Sequence, residues 1–272
     1  MRVIAIVQAR LGSTRLPNKV IKEIVGKPMI EILLTRLSQS KEINQIVVAT
    51  STERENDNLQ ILVESLGYEC TRGSENDVLN RFYSSAKKIG ADVVLRITGD
   101  CPLVDSEMVD TCIKEFKSLA VDYYSNTMPE TFPDGLDIEV MSFSSLERAH
   151  NEAESLFDRE HVTSYIRNSE TFSKGNLTNP EDLSKRRWTV DEPEDFIIIN
   201  RIFEYFYPNI LFSWKDVYDL QKNNPSSFTE NEQIKRNEGC NLNTGQKLYK
   251  RAKRVIPGGN MLLSKRPEMF LP

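Results

Sequence analysis

Arg10, Arg15 and Lys19 fall within one short stretch around Gly12 and the hydroxyls of Ser13 and Thr14. Guanidinium and ammonium groups beside a glycine that leaves backbone N–H groups accessible make a cradle suited to a polyphosphate. Charge by itself describes a basic surface loop equally well, because the stretch is neither a Walker A sequence nor G-x-G-x-x-G. Two acidic residues stand further along: Asp100 in Gly99-Asp100-Cys101-Pro102 and Asp191 in Val190-Asp191-Glu192-Pro193. Each stands at the end of a stretch that reads as a strand, a place from which a carboxylate can ligate a hard cation. Taken singly, each is also an ordinary turn residue or helix cap.

The elements that must hold these residues follow from periodicity. Residues 3–7 (Val-Ile-Ala-Ile-Val) are an unbroken apolar run, which predicts a strand buried on both faces. The basic loop leaves its carboxyl end, the edge at which open α/β sheets bind ligands. Residues 46–50 and 91–97 predict two more core strands, and 69–74 a short strand and turn. Residues 185–190 (Lys-Arg-Arg-Trp-Thr-Val) read as a further strand running into Asp191. Helical spacing of apolar residues appears over 28–37, 56–66 and 77–88, with Gly67 and Gly90 placed as C-terminal stops. Repeated β-then-α units imply a parallel sheet with right-handed crossovers. From 121 the texture changes: strand-like 121–126 and 136–141 flank a proline-punctuated loop, a helical pattern covers 144–154, and 157–167 holds Arg159-Glu160-His161-Val162-Thr163. Helices over 196–207 and 214–222 close the domain. Residues 223–244 are polar and poor in aromatics, the composition of a linker.

The chain has 272 residues, ample for one large α/β domain over residues 1–222. With 39% hydrophobic and 28% charged residues, it has an ordinary soluble composition. A net charge of −5 argues against a sequence-independent nucleic-acid binder. No apolar run is long enough to span a bilayer, and Gln8 and Arg10 interrupt the first one too early for a signal peptide. Cys70, Cys101, Cys112 and Cys240 form no C-x-x-C pair. Neither a zinc site nor a disulfide framework is expected, and a reducing, cytoplasmic setting is.

The order of residues carries more than their charge. Ala9 to Lys19 reads A-R-x-G-S-T-R-L-P-x-K, followed by Gly26-Lys27-Pro28-Met29-Ile30 and a helix. This resembles the signature of the nucleotidyltransferases that make CMP-activated acidic sugars, the CMP-Kdo and CMP-sialic acid synthetases. Within that family the match is best to the spore-coat polysaccharide biosynthesis protein F group. The resemblance implies a Rossmann-like three-layer α/β/α sandwich of glycosyltransferase-A type, mainly parallel, with a β-rich insertion over roughly 121–185. It implies transfer of CMP from CTP to an acidic sugar or phosphorylated acceptor, with release of pyrophosphate, for surface polysaccharide biosynthesis.

Residue by residue, the resemblance makes Asp100 and Asp191 ligands of Mg²⁺; Glu192 stands where the family usually has threonine. Arg10 and Lys19 would join Asp100 as catalytic residues, with Arg15 as a third phosphate contact. Gln8, Ala9, Leu11, Gly12, Ser13, Arg72 and Gly99 would line the nucleotide pocket. Asn126, Asp137 and His161 would face the acceptor, although His161 suits equally well a buried histidine that holds a helix. A homodimer is implied, with contacts in the inserted region. Asp77 is expected to cap a helix and Arg81 to form a salt bridge. A sugar-1-phosphate nucleotidyltransferase using another NTP would usually carry more glycine in its opening loop. A glycosyltransferase on this type of fold would need an Asp-x-Asp motif. Both stay open at this point, as does a non-catalytic assembly domain.

Residues 245–259 read as a basic helix stopped at Pro257-Gly258-Gly259. This stretch resembles the opening of glutamate-1-semialdehyde aminotransferase-like enzymes. Residues 245–272 are thus expected to be the stub of an aminotransferase-like domain, fused or partnered, or else a native docking helix.

Overall fold

Alternate residues of the first strand, β1 (Val3–Gln8), face opposite cores. Val3, Ala5 and Val7 join one apolar cluster, and Ile4 and Ile6 join the other. A strand apolar on both faces belongs in the middle of a sheet covered by helices on both sides. The computed structural model describes residues 1–234 and 236, and β1 lies in that position.

From β1 the chain passes through a hairpin, β2 (Glu23–Ile24) and β3 (Lys27–Pro28), into helix α1 (Met29–Leu37). It then alternates: β4 (Gln45–Ser51), α2 (Asp57–Ser65), β5 (Glu69–Gly73), α3 (Val78–Ile89) and β6 (Val93–Thr98). Next come α4 (Ser106–Leu119), β7 (Tyr123–Ser125), β8 (Glu139–Ser142) and α5 (Phe143–Glu152). Two short helices follow, α6 (Leu156–His161) and α7 (Ser164–Asn168), then β9 (Lys174–Asn176). Helices α8 (Pro193–Phe206) and α9 (Trp214–Asn223) complete the set.

Seven strands form one sheet in the order β5-β4-β1-β6-β8-β7-β9. β5, β4, β1 and β6 run parallel, β8 runs against both of its neighbours, and β9 is parallel to β7. The chain moves outward from β1 to β4 and β5, then returns to lay β6 on the other side of β1. That reversal opens a crevice between the loops that leave β1 and β6. One face is covered by helices that include α1, α4 and α8, through Leu33, Ile113 and Ile199. The other is covered by α3 and α5, through Phe82, Ala86, Leu146 and Ala149. The expected three-layer α/β/α architecture with a mainly parallel sheet is present.

Local signals account for the clearest elements. Helix α3 starts where Asp77 accepts a hydrogen bond from the Asn80 N–H and stops at Gly90, which has a φ of 72°. Glycine has no Cβ to penalise that left-handed turn. Helix α4 is absent from the sequence expectations, yet Met108, Val109, Cys112, Ile113 and Phe116 carry its buried stripe at helical spacing.

Three expectations need correction. Residues 185–190 are not a strand; only Arg187 makes a bridge, to Asp134. Arg187, Trp188, Thr189 and Val190 are all buried because the segment lies across the end of the sheet, and consecutive burial imitates a core strand. The region 121–185 is mixed rather than β-rich: it adds three short strands to the same sheet and carries α5, α6 and α7. The domain also continues past 222. Met1–Asn231 is one compact unit, with Phe228 and Asn231 buried in it, so the start of the expected linker is part of the fold. Residues 245–272, the expected aminotransferase-like stub, lie outside the described residues. Among the described residues no helix is long and apolar enough to cross a membrane.

Candidate active site

The loop after β1 is pinned from below. Leu11 and Leu16 are buried in the apolar cluster, and the buried Asn56 side chain accepts from the Leu11 N–H at 2.8 Å. The Leu11 carbonyl accepts from Ser13 and Asn18, at 2.8 and 3.2 Å, and closes the loop on itself. Its apolar residues face inward, and the chain then turns through Lys19–Ile21, where Lys19 points back across the crevice.

The Lys19 ammonium donates to Asp100 Oδ2 at 2.9 Å, Asp191 Oδ1 at 2.9 Å and the Val190 carbonyl at 2.8 Å. Arg15 reaches the same Asp191 oxygen at 2.9 Å and Glu192 at 3.5 Å. Burial alone would lower the Lys19 pKa; Asp100 and Asp191 outweigh it and hold the ammonium above its ordinary value. Burial would likewise raise Asp100, but Lys19, with a Thr98 hydrogen bond, keeps that carboxyl well below the usual range. The two aspartates meet because their loops are stitched together: the Val190 N–H donates to the Asp100 carbonyl at 2.8 Å. A lysine and two carboxylates from three distant stretches thus converge at the crevice.

Gly99 makes the approach of β6 to β1 possible. Its N–H donates to the Gln8 carbonyl at 2.7 Å, and a Cβ there would stand 2.9 Å from that oxygen and 3.0 Å from the Ala9 Cβ. Gly99→Ala is expected to lower stability by about 1–3 kcal/mol through overpacking. It should also cut catalytic efficiency by displacing Asp100. A thermal melt paired with steady-state rates checks both, and a wild-type melting temperature would contradict the steric argument.

Other expected residues are placed less centrally. Arg10 pairs with Glu75 at the outer rim of the same loop. Arg72 is corrected: its guanidinium is held by the carbonyls of Ser51 and Glu53 and the side chains of Asp57 and Gln60. It ties β5 to the start of α2. Asn126 is corrected as well. Its amide donates to the Leu136 carbonyl at 2.7 Å and accepts from the Ile138 N–H at 2.8 Å, so a side chain 2% exposed is committed to backbone. Asp137 lies near the centre; its charge is among those that, after burial, push the Cys101 thiol up. His161 ends α6, with its ring 4.3 Å from that of Phe157. Asp77 caps α3 as expected and also pairs with Arg159.

Sequence reading missed Arg187, which ion-pairs with Asp134, Asp191 and Asp195. The second arginine of Lys-Arg-Arg-Trp carries no local sign of three acidic partners. It also missed a buried network beside the site: Arg96 pairs with Glu139, whose other oxygen accepts from Tyr123 at 2.6 Å.

These buried carboxylates set the acid limit of the fold. Burial would raise Glu139 and Asp195, but Arg96 in one case and Arg187 in the other hold each carboxyl below its ordinary value. A depressed folded pKa contributes stability that is present above the unfolded value and lost as pH falls through the folded one. The melting temperature should hold between about pH 7 and 5 and drop below about pH 4. A pH series of thermal melts tests this; a midpoint that rises below pH 4 would contradict it.

Comparison with known proteins decides the family. A sequence model described as cytidylyltransferase matches residues 4–240. The chain belongs to the cytidylyltransferase family. It is 33% identical over 243 residues to the spore coat polysaccharide biosynthesis protein SpsF of Bacillus subtilis, covering 85% of this chain and 98% of that one. Over a shorter stretch of 115 residues it is 33% identical to 3-deoxy-manno-octulosonate cytidylyltransferase of Geobacter metallireducens, covering 42% and 44%. A solved cytidylyltransferase from Leptospira borgpetersenii superposes with a TM-score of 0.82 at 33% identity, covering 87% of this chain and all of that one. Membership makes this a CTP-dependent nucleotidyltransferase, and the crevice at the β1–β6 reversal is where such an enzyme holds its site.

Proposed function

We propose that this cytidylyltransferase transfers CMP from CTP to an oxygen of an acidic sugar or phosphorylated acceptor, releasing pyrophosphate, in the building of a surface polysaccharide. The observation that carries the reading is the convergence of Lys19, Asp100 and Asp191 at the sheet reversal, with Arg15 on the same aspartate. The names of the Bacillus and Geobacter relatives support the polysaccharide and acidic-sugar parts.

In the reaction, a bond forms between the acceptor oxygen and the α-phosphorus of CTP, and the bond to the β-phosphate bridging oxygen breaks. The protein mostly orients groups and neutralises charge. Arg10, Arg15 and Lys19 hold the triphosphate and then the leaving pyrophosphate. The loop backbone around Gly12 and Ser13 supplies further donors, and Gly99 lets β6 close against Gln8 and Ala9 beneath the nucleotide. Asp137 and His161 are assigned to the acceptor.

The donor set fits Mg²⁺. Two hard carboxylates, those of Asp100 and Asp191, already share one cationic partner in Lys19. Mg²⁺ characteristically takes one or two carboxylates and completes its shell with water and substrate phosphates. Asp100 and Asp191 would hold it, and when bound it offsets charge on the triphosphate.

The same reading takes the enzyme as a cytoplasmic homodimer, with residues 245–272 either the link to a fused or partnered aminotransferase or a native docking segment. The free thiols of Cys70, Cys101 and Cys112 accord with a reducing compartment, and light scattering of the full chain tests the dimer. Pyrophosphate release, measured over the four NTPs and a panel of acceptors, tests the central reading. Release only with CTP and a sugar acid or phosphorylated acceptor is expected. Preference for another NTP with a sugar-1-phosphate would overturn it.

A further inference from the structure

Beside the candidate metal ligands lies a buried charge network that nucleotide binding leaves unused. Asp195 is fully buried and accepts five hydrogen bonds. Its Oδ2 takes the N–H groups of Asp191 and Glu192, each at 2.9 Å, and Arg187 Nη2 at 2.9 Å. Its Oδ1 takes Arg187 Nε at 2.8 Å and Asn231 Nδ2 at 2.9 Å. Arg187 then extends to Asp134 at 2.9 Å and to Asp191 Oδ2 at 3.3 Å. Asn231 also donates to the Arg187 carbonyl at 3.1 Å.

The geometry separates the two oxygens of Asp191: Oδ2 faces Arg187, and Oδ1 faces Lys19 and Arg15 in the crevice. Asp195 fixes the Asp191 backbone, while Arg187 fixes its side chain. A helix cap for α8 would need only the bond that Asp195 accepts from the Glu192 N–H. The reach of Arg187 to Asp191, and a second anchor from 36 residues downstream, serve no cap. They restrict how Asp191 can turn.

We propose that Arg187, clamped by Asp195 and by Asn231 from beyond α9, is a positioning residue that presents Asp191 to the metal–triphosphate. The proposal rests on reading Asp191 as a metal ligand. Partners one shell out from a ligand fix its orientation, and their loss characteristically weakens metal affinity. Asn231 suits a test because it touches neither CTP-binding residue nor metal ligand directly; its two donors go to Asp195 and to the Arg187 carbonyl.

The experiment uses the full chain with α,β-methylene-CTP and Mn²⁺, the bound metal being counted by electron paramagnetic resonance of the free ion. Asn231→Ala is expected to weaken Mn²⁺ binding about tenfold. Phe228→Ala, in the same segment but packed in the apolar core, should lower the melting temperature and leave Mn²⁺ affinity unchanged. Should Asn231→Ala fail to fold, Asn231→Ser keeps a polar side chain too short to reach both partners and is expected to give the same loss. Unchanged Mn²⁺ affinity in the folded Asn231 variant overturns the proposal. Asp191→Asn, run in parallel, keeps the two readings apart. If it leaves affinity intact, the metal assignment of Asp191 fails, and the positioning role fails with it. If it weakens binding and the Asn231 variant does not, only the positioning role fails.

Discussion

Asp100→Asn is expected to reduce kcat/KM by about 10²–10³-fold, the scale on which removing one preorganised electrostatic contact slows a reaction. The substitution keeps size and shape but removes the charge that faces Lys19 at 2.9 Å and that would face a divalent cation. The fold should survive, because the backbone carbonyl of Asp100, which accepts from Val190, is untouched. The loss should therefore appear in rate and in metal dependence, with a melting temperature close to wild type. Pyrophosphate release over a Mg²⁺ titration, with a melt on the same sample, measures both. Full activity in this variant would sink the assignment of Asp100.

Lys19→Met should be the more damaging change, in both activity and stability. It removes the cation that Asp100 and Asp191 share and leaves two carboxylates facing each other. Breaking a fully buried ion pair costs about 3–5 kcal/mol. Asp100 and Asp191 keep 26% and 20% of their side-chain surface, so water screens part of the repulsion. A loss of about 2 kcal/mol follows, roughly a 5 °C drop in melting temperature for a domain of this size. Because a divalent cation can satisfy the same pair of carboxylates, added Mg²⁺ should restore much of that drop without restoring turnover. Turnover should stay low, because the proposed phosphate contact of Lys19 is lost. Melts with and without Mg²⁺, set beside pyrophosphate release, separate the two effects; a variant that melts as wild type without Mg²⁺ would contradict the shared-cation geometry.

The effect of Lys19→Met depends on neighbours that local sequence does not reveal. Lys19 is 81 residues from Asp100 and 172 from Asp191. The motif order around each residue marks it as a candidate, but only the stitching of Val190 to Asp100 brings the three together. Arg72 shows the opposite case: a cation in a plausible loop position, fully engaged by Ser51, Glu53, Asp57 and Gln60. Asn126 is similar, a polar side chain spent on the backbone of residues 136 and 138. In sequence, a polar residue that holds the scaffold looks the same as one that holds a ligand.

Strands β1, β4 and β6, the helices between them and their glycine stops were legible in the sequence because period, cap and turn chemistry are local properties. So was the family, because the order A-R-x-G-S-T-R-L-P-x-K constrains a loop, a helix start and a charge pattern at once. Tertiary structure alone decided that residues 185–190 cross the sheet end rather than enter it, and that the domain runs on to Asn231. It also decided that Arg187 stands among three aspartates. The reason is physical: a buried charge is tolerated only with partners, and those partners are chosen by how distant segments pack, which no local pattern records.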